Sequence, residues 1–134
     1  MNRIIISNIY LVDNQLTRID FDRDIEVRER VNAASNFYLE TLEGIPIARR
    51  MSIWNLPIKN LKGLDKDFPY RFIDVEFCDN LYDFNDLPEY IEKFRLHYDV
   101  TRNESKFRTT KELAKYLRSI SNIDTLIIND TYYE

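Results

Sequence analysis

ISNIYLVDNQLTRI, residues 6–19, places its apolar residues and one asparagine in the frame Ile6-x-x-Ile9-x-Leu11-x-x-Asn14-x-Leu16-x-x-Ile19. Two folds follow from it. Read locally, β-branched and aromatic residues run from Ile4 to Val12, the turn-forming pair Asp13-Asn14 follows, and Leu16 to Phe21 resumes, which is a hairpin. Read as a frame, the stretch is the first of several stacked units. Recurrence elsewhere in the chain decides between the two.

The frame recurs. Phe72-x-x-Val75-x-Phe77-x-x-Asn80 repeats it, and Ile91-x-x-Phe94-x-Leu96 and Ile123-x-x-Leu126-x-Ile128 repeat its front half, with starts 66, 19 and 32 residues apart. These windows resemble a degenerate leucine-rich repeat, Leu-x-x-Leu-x-Leu-x-x-Asn-x-Leu. LETLEGIP (residues 39–46) and NLYDFNDLPEYIEKF (residues 80–94) also resemble the Leu-x-x-Leu-x-x-x-Pro repeats of bacterial and phage proteins. The resemblance implies short parallel strands whose two central apolar residues point inward, with the Asn side chain bonding backbone where the chain turns. The expected fold is therefore α/β, an irregular leucine-rich-repeat-like stack of short strands with helices on one side, in a single domain over residues 1–134. A small α+β domain is the alternative.

Other elements follow from pattern. Val27, Val31, Ala34, Tyr38 and Leu42 recur every three or four residues behind Asp22 and Asp24, which predicts a capped helix stopped by Gly44 and Pro46. Residues 49–54, 72–78, 94–99 and 124–130 read as strands, residues 56–69 as loop or a short helical turn, and residues 131–134 as a tail. Pro88 forbids an uninterrupted helix over residues 81–94. Thr109 and Glu112 form a capping box ahead of Leu113, Tyr116, Leu117 and Ile120, which predicts the clearest helix.

Composition bounds the class. With 134 residues, 44% of them hydrophobic and 13% aromatic, the chain has enough apolar surface to fold without a disulfide or metal. Its one cysteine, Cys78, fits a reducing cytoplasm. MNRIIISNIYLV is too broken by Ser7, Asn8 and Tyr10 for a signal peptide, and no 18-residue apolar run suggests a membrane span. A net charge of −4 argues against generic nucleic-acid binding, leaving Arg49 and Arg50 as a local basic patch, and two glycines exclude a Gly-rich phosphate loop.

No catalytic signature stands out, and no cofactor or metal is expected. If the strands stack in the frame, Tyr10, Glu76, Cys78, Arg95, His97, Ile127 and Asn129 share one exposed face. Residues 74–92 hold seven acids and no base, interleaved with Phe77, Tyr82, Phe84 and Tyr90, of which Phe77 and Phe84 are expected in the core. Such a surface suits a protein partner with basic groups, anchored by aromatics. Partner-binding residues are thus expected at Tyr10, Glu76, Tyr82, Tyr90, Arg95, His97 and Asn129.

Enzymatic alternatives are Cys78 and His97 as zinc ligands or as nucleophile and base with Asp99, carboxylate chemistry on nucleic acid through Asp74 and Glu76, and a nuclease-like Glu104-Ser-Lys106. The expectation is a non-enzymatic cytoplasmic binding protein. An Ile-, Asn-, Asp-, Tyr- and Lys-rich composition hints at an AT-rich genome, so a phage-encoded inhibitor of a host protein, or an antitoxin or immunity partner, is a concrete form. The open ends of such a stack can also pair with another copy.

Overall fold

Pairs of inward apolar residues two apart, one pair in each of the first six strands, organise the molecule. The computed structural model describes residues 4–20, 25–102 and 105–134. Seven strands, β1 (Ile4–Val12), β2 (Ile25–Ala34), β3 (Arg50–Trp54), β4 (Tyr70–Glu76), β5 (Tyr90–Leu96), β6 (Asn122–Ile128) and β7 (Thr131–Tyr133), form one sheet in chain order. All neighbours run parallel except β6 and β7. The chain thus winds as a solenoid-like stack of coils, each adding one strand.

The register shows the repeat. Ile9, Val31, Met51, Ile73, Phe94 and Leu126 are successive partners across the sheet, as are Leu11, Ala33, Ile53, Val75, Leu96 and Ile128. Except for Ile9 at 8% and the partly buried Leu11, these side chains are at most 1% exposed. Successive partners lie 22, 20, 22, 21 and 32 residues apart, and the last interval exceeds its predecessor by 11, the length of α1 (Thr110–Ile120).

Three of the four expected windows are in register. The fourth is displaced by two: the unit is Tyr70-x-x-Ile73-x-Val75-x-x-Cys78, so Phe77 is 60% exposed rather than core, while Phe84 is buried. Two units were not expected, Val31-x-Ala33-x-x-Asn36 and Met51-x-Ile53-x-x-Leu56.

Asn36 and Cys78 hold equivalent positions. Asn36 Nδ2 donates to Leu11 O (2.7 Å) and Ala34 O (3.0 Å), and Cys78 Sγ approaches Ile53 O (3.7 Å) and Glu76 O (3.6 Å), carbonyls 25 and two residues earlier in both cases. Each side chain ties its turn to the preceding coil and satisfies buried backbone groups. The thiol accordingly sits inside, not on the exposed face.

Between strands the chain returns in short turns with a buried residue every third position: Leu39, Leu42, Ile45 and Ala48, then Ile58, Leu61 and Leu64, then Cys78, Leu81, Phe84 and Leu87. Thr41, Asn60 and Asp83 each accept the backbone N–H two residues on (3.2, 3.0 and 2.9 Å). Three residues after Thr41 and Asn60 come Gly44 and Gly63, at φ +88° and +120°, where a Cβ would lie 2.1 Å from Ile19 O and 2.3 Å from Leu42 O. Coils approach backbone to backbone there, so only glycine fits.

This three-residue period corrects the helix expected over residues 27–42. Residues 25–34 are β2, and the turn spacing beyond Asn36 imitates a helical face, while Tyr38, on that supposed face, is 63% exposed. Asp22 and Asp24 lie outside the described residues. The hairpin reading also fails, because residues 16–20 of its expected second arm form no strand and β1 pairs in parallel with β2 instead. The expected tail is β7, joined to β6 by Asn129-Asp130 at φ 50° and 66°, the left-handed pair of a two-residue hairpin.

Instead of several helices, the described residues form one. Thr109 Oγ1 accepts the Glu112 N–H (3.1 Å), Glu112 Oε2 accepts the Arg108 N–H (2.8 Å), and Leu113, Ala114 and Leu117 are buried beneath. Among the described residues, no helix is long and apolar enough to cross a membrane.

Candidate functional site

Residues alternating with the inward pairs point to the open face of the sheet. One row across it reads Tyr10, Asn32, Ser52, Asp74, Arg95, Ile127 and Tyr132. The row toward the strand starts reads Asn8, Arg30, Arg50, Phe72, Lys93 and Thr125, with Lys93 Nζ 5.2 Å from the centre of the Phe72 ring. Trp54 and Glu76 pair in the row toward the strand ends. Cations thus gather near the strand starts and acids near the ends.

Around Glu76 the polar groups are densest. His97 Nδ1 lies 2.7 Å from Glu76 Oε1, an ion-pair distance without hydrogen-bond alignment, and Nε2 lies 3.6 Å from Asp130 Oδ2. The imidazole thus stands between two carboxylates, one facing each ring nitrogen. Asp74 is only 4% exposed; burial, then the charge and hydrogen bond of Glu76, push its carboxyl up to about 6, against Arg95 and the Trp54 indole. Asn32 Oδ1, Asp74 Oδ1 and Arg95 Nε are buried without a hydrogen-bond partner among the described residues.

Phe77 completes the cluster. Its φ of +57° is a conformation that bulky side chains avoid, and it holds the ring outside the core, stacked on His97 at 5.6 Å and 10°. Asp13, Ser35 and Asn55 take the same left-handed turn after β1, β2 and β3. The coil geometry demands that conformation there, and in the fourth strand it is imposed on a phenylalanine.

Of the expected partner-binding residues, Glu76, Arg95 and His97 come together on β4 and β5 or just beyond. Tyr10 lies in the Arg95 row but four strands away, about 19 Å at the usual strand spacing. Tyr82 is exposed on a return turn. Tyr90, at the start of β5, donates to Asp124 Oδ2 (2.5 Å), which holds its phenol above the ordinary range. Asn129 clamps the Tyr98 backbone, accepting its N–H (2.9 Å) and donating to its carbonyl (2.8 Å).

Of the residues expected exposed on the open face, Ile127 keeps its place in the row but is only 1% exposed, and Cys78, at 5%, points inside. Burial raises the Cys78 thiol to about 11, leaving little thiolate for metal or nucleophilic work. The acidic stretch divides: Asp74 and Glu76 belong to the face, while Asp83 caps a return turn. Glu104 lies outside the described residues, and among those described no three His, Cys, Asp or Glu side chains are grouped as a metal ion would require. Sequence reasoning missed Trp54 and the exposure of Phe77. Comparison with protein families, curated proteins and solved structures finds no match to this chain.

Proposed function

We propose that the chain is a non-enzymatic protein-binding module that covers a partner through the open face of its sheet, and that its repeat units are of the leucine-rich kind. The observation that supports this most is Phe77, a large apolar ring carried in a strained conformation outside the core and stacked on His97 beside Glu76 and Asp130. An aromatic anchor next to carboxylates suits a basic side chain of the partner, because the ring supplies contact area and the acids supply orientation. A phage-encoded inhibitor of a host protein is one form such a module takes.

The test is capture from bacterial lysate with parallel nuclease treatment. A stoichiometric protein that survives nuclease, is lost on Phe77→Ala or Glu76→Arg, and is retained by Tyr82→Ala is the expected result. Loss with Tyr82→Ala alone, or retention abolished by nuclease, would overturn the reading.

A further inference from the structure

At the last strand, a groove of about 1000 Å³ lies between α1 and β7. Ala114, Lys111 and Lys115 line one wall, Tyr132 and Tyr133 the other. Its walls are tied together: Arg118 donates from Nη1 to Ile123 O (2.5 Å) and from Nη2 to Tyr133 O (2.7 Å), and Thr110 Oγ1 hydrogen-bonds the Tyr133 hydroxyl. The groove is therefore formed before anything enters it.

Charge bears on the occupant. Lys111, Lys115 and Arg118 line the groove against two acids, Glu112 and Glu134, in a chain whose net charge is −4. Lys111 and Lys115 stand one helical turn apart, exposed, and neither ammonium meets a carboxylate among the described residues. Of the two acids, Glu112 is already engaged by the Arg108 N–H, as Arg118 is by two backbone carbonyls, so Lys111 and Lys115 outnumber Glu134 among the groups left to meet a ligand.

The backbone adds a third element. In a two-residue hairpin the flanking pair, Ile128 and Thr131, is the hydrogen-bonded one, so alternation turns the Tyr132 N–H and C=O toward the free edge of β7. We infer that the groove between α1 and β7 binds an extended acidic peptide segment, its carboxylates on Lys111 and Lys115, its apolar side chains against Ala114 and Tyr132, and its backbone on the β7 edge. Strand addition beside a helix uses this division between main-chain bonds and side-chain contacts. The free β7 edge favours a peptide, whose backbone can add a strand, over a nucleic acid, which has no matching row of N–H and C=O groups.

The test is fluorescence anisotropy with a fluorescein-labelled hexapeptide of alternating glutamate and valine at low salt, against a lysine–valine counterpart. Saturable binding of the acidic peptide only, weakened about tenfold in Lys111→Glu/Lys115→Glu, with amide shifts centred on Tyr132 and α1, is expected. Both lysines are exposed, and circular dichroism checks that the variant is folded. Absence of saturable binding, indifference to the lysine changes, shifts confined to β3, β4 and β5, or tighter binding of a single-stranded oligonucleotide that displaces the peptide would each overturn the assignment. None of these outcomes depends on Phe77 or Glu76, so the open-face reading stands or falls separately.

Discussion

The two ends of the stack are finished differently. At the last strands, β7 folds back on β6 and α1 buries Leu113, Ala114 and Leu117 against the coil interior. At the first, the outer edge of β1 bears no strand among the described residues, and Ile4, Ile5, Tyr10 and Val12 are 39–61% exposed. In a stack where each coil leans on its neighbours, a coil with one neighbour is held by roughly half the interface of an interior one. The β5–β6 end should thus be the anchor and the β1 end the first to open.

The largest test removes equivalent inward side chains. Phe94→Ala should cost about 3–5 kcal/mol in chemical denaturation, whereas Ile9→Ala, already at the loosely held end, should cost only about 1–2 kcal/mol. Equal losses would break the comparison. Next, Gly63→Ala drives a Cβ against the Leu42 carbonyl of an interior coil and should cost about 2–4 kcal/mol. Gly44→Ala meets Ile19 in the first coil, which can yield, and should cost less.

Smaller again is Asn36→Ala, which leaves the Leu11 carbonyl without its amide donor for about 1–2 kcal/mol. Hydrogen exchange should then accelerate over residues 4–12 while β5 and β6 keep their protection, and acceleration throughout would show that the ends are not independent.

The smallest effect lies mid-sheet. Asp74 titrates at about 6 in the folded chain against an ordinary 3.8, so folding retains a proton that the unfolded chain releases. Its contribution to stability is complete below about pH 4 and lost as pH rises through about 6. Asp74→Asn should therefore raise Tm at pH 8 by about 2–5 °C, flatten the dependence between pH 4 and 6, and leave β1 exchange unchanged.

Much of this was legible in the sequence wherever one signal dominated. Period-two alternation marks β4 and the end of β5, although the strands expected over residues 72–78, 94–99 and 124–130 begin at Tyr70, Tyr90 and Asn122, and the Thr109–Glu112 box marks α1. β2 was hidden because return turns with a buried residue every third position imitate a helix, and Cys78 because its sulfur replaces the amide that Asn36 supplies. At the site, alternation alone brought Glu76, Arg95 and His97 to one face. Phe77 escaped because a left-handed turn reverses the parity that alternation assumes. Tyr82 was drawn in by its acidic neighbours, although the chain has left the sheet by then.

The near-constant spacing of partner residues, 20 to 22 until α1 intervenes, also bears on how the molecule assembles. Every coil closes a loop of nearly the same length on its predecessor, and closure entropy depends only weakly on length, so no single step carries the long-range penalty that slows other parallel sheets. Folding should then spread like a zipper from whichever adjacent pair of coils forms first. The 11 extra residues of the last interval hardly alter that, since the closure penalty grows only with the logarithm of loop length.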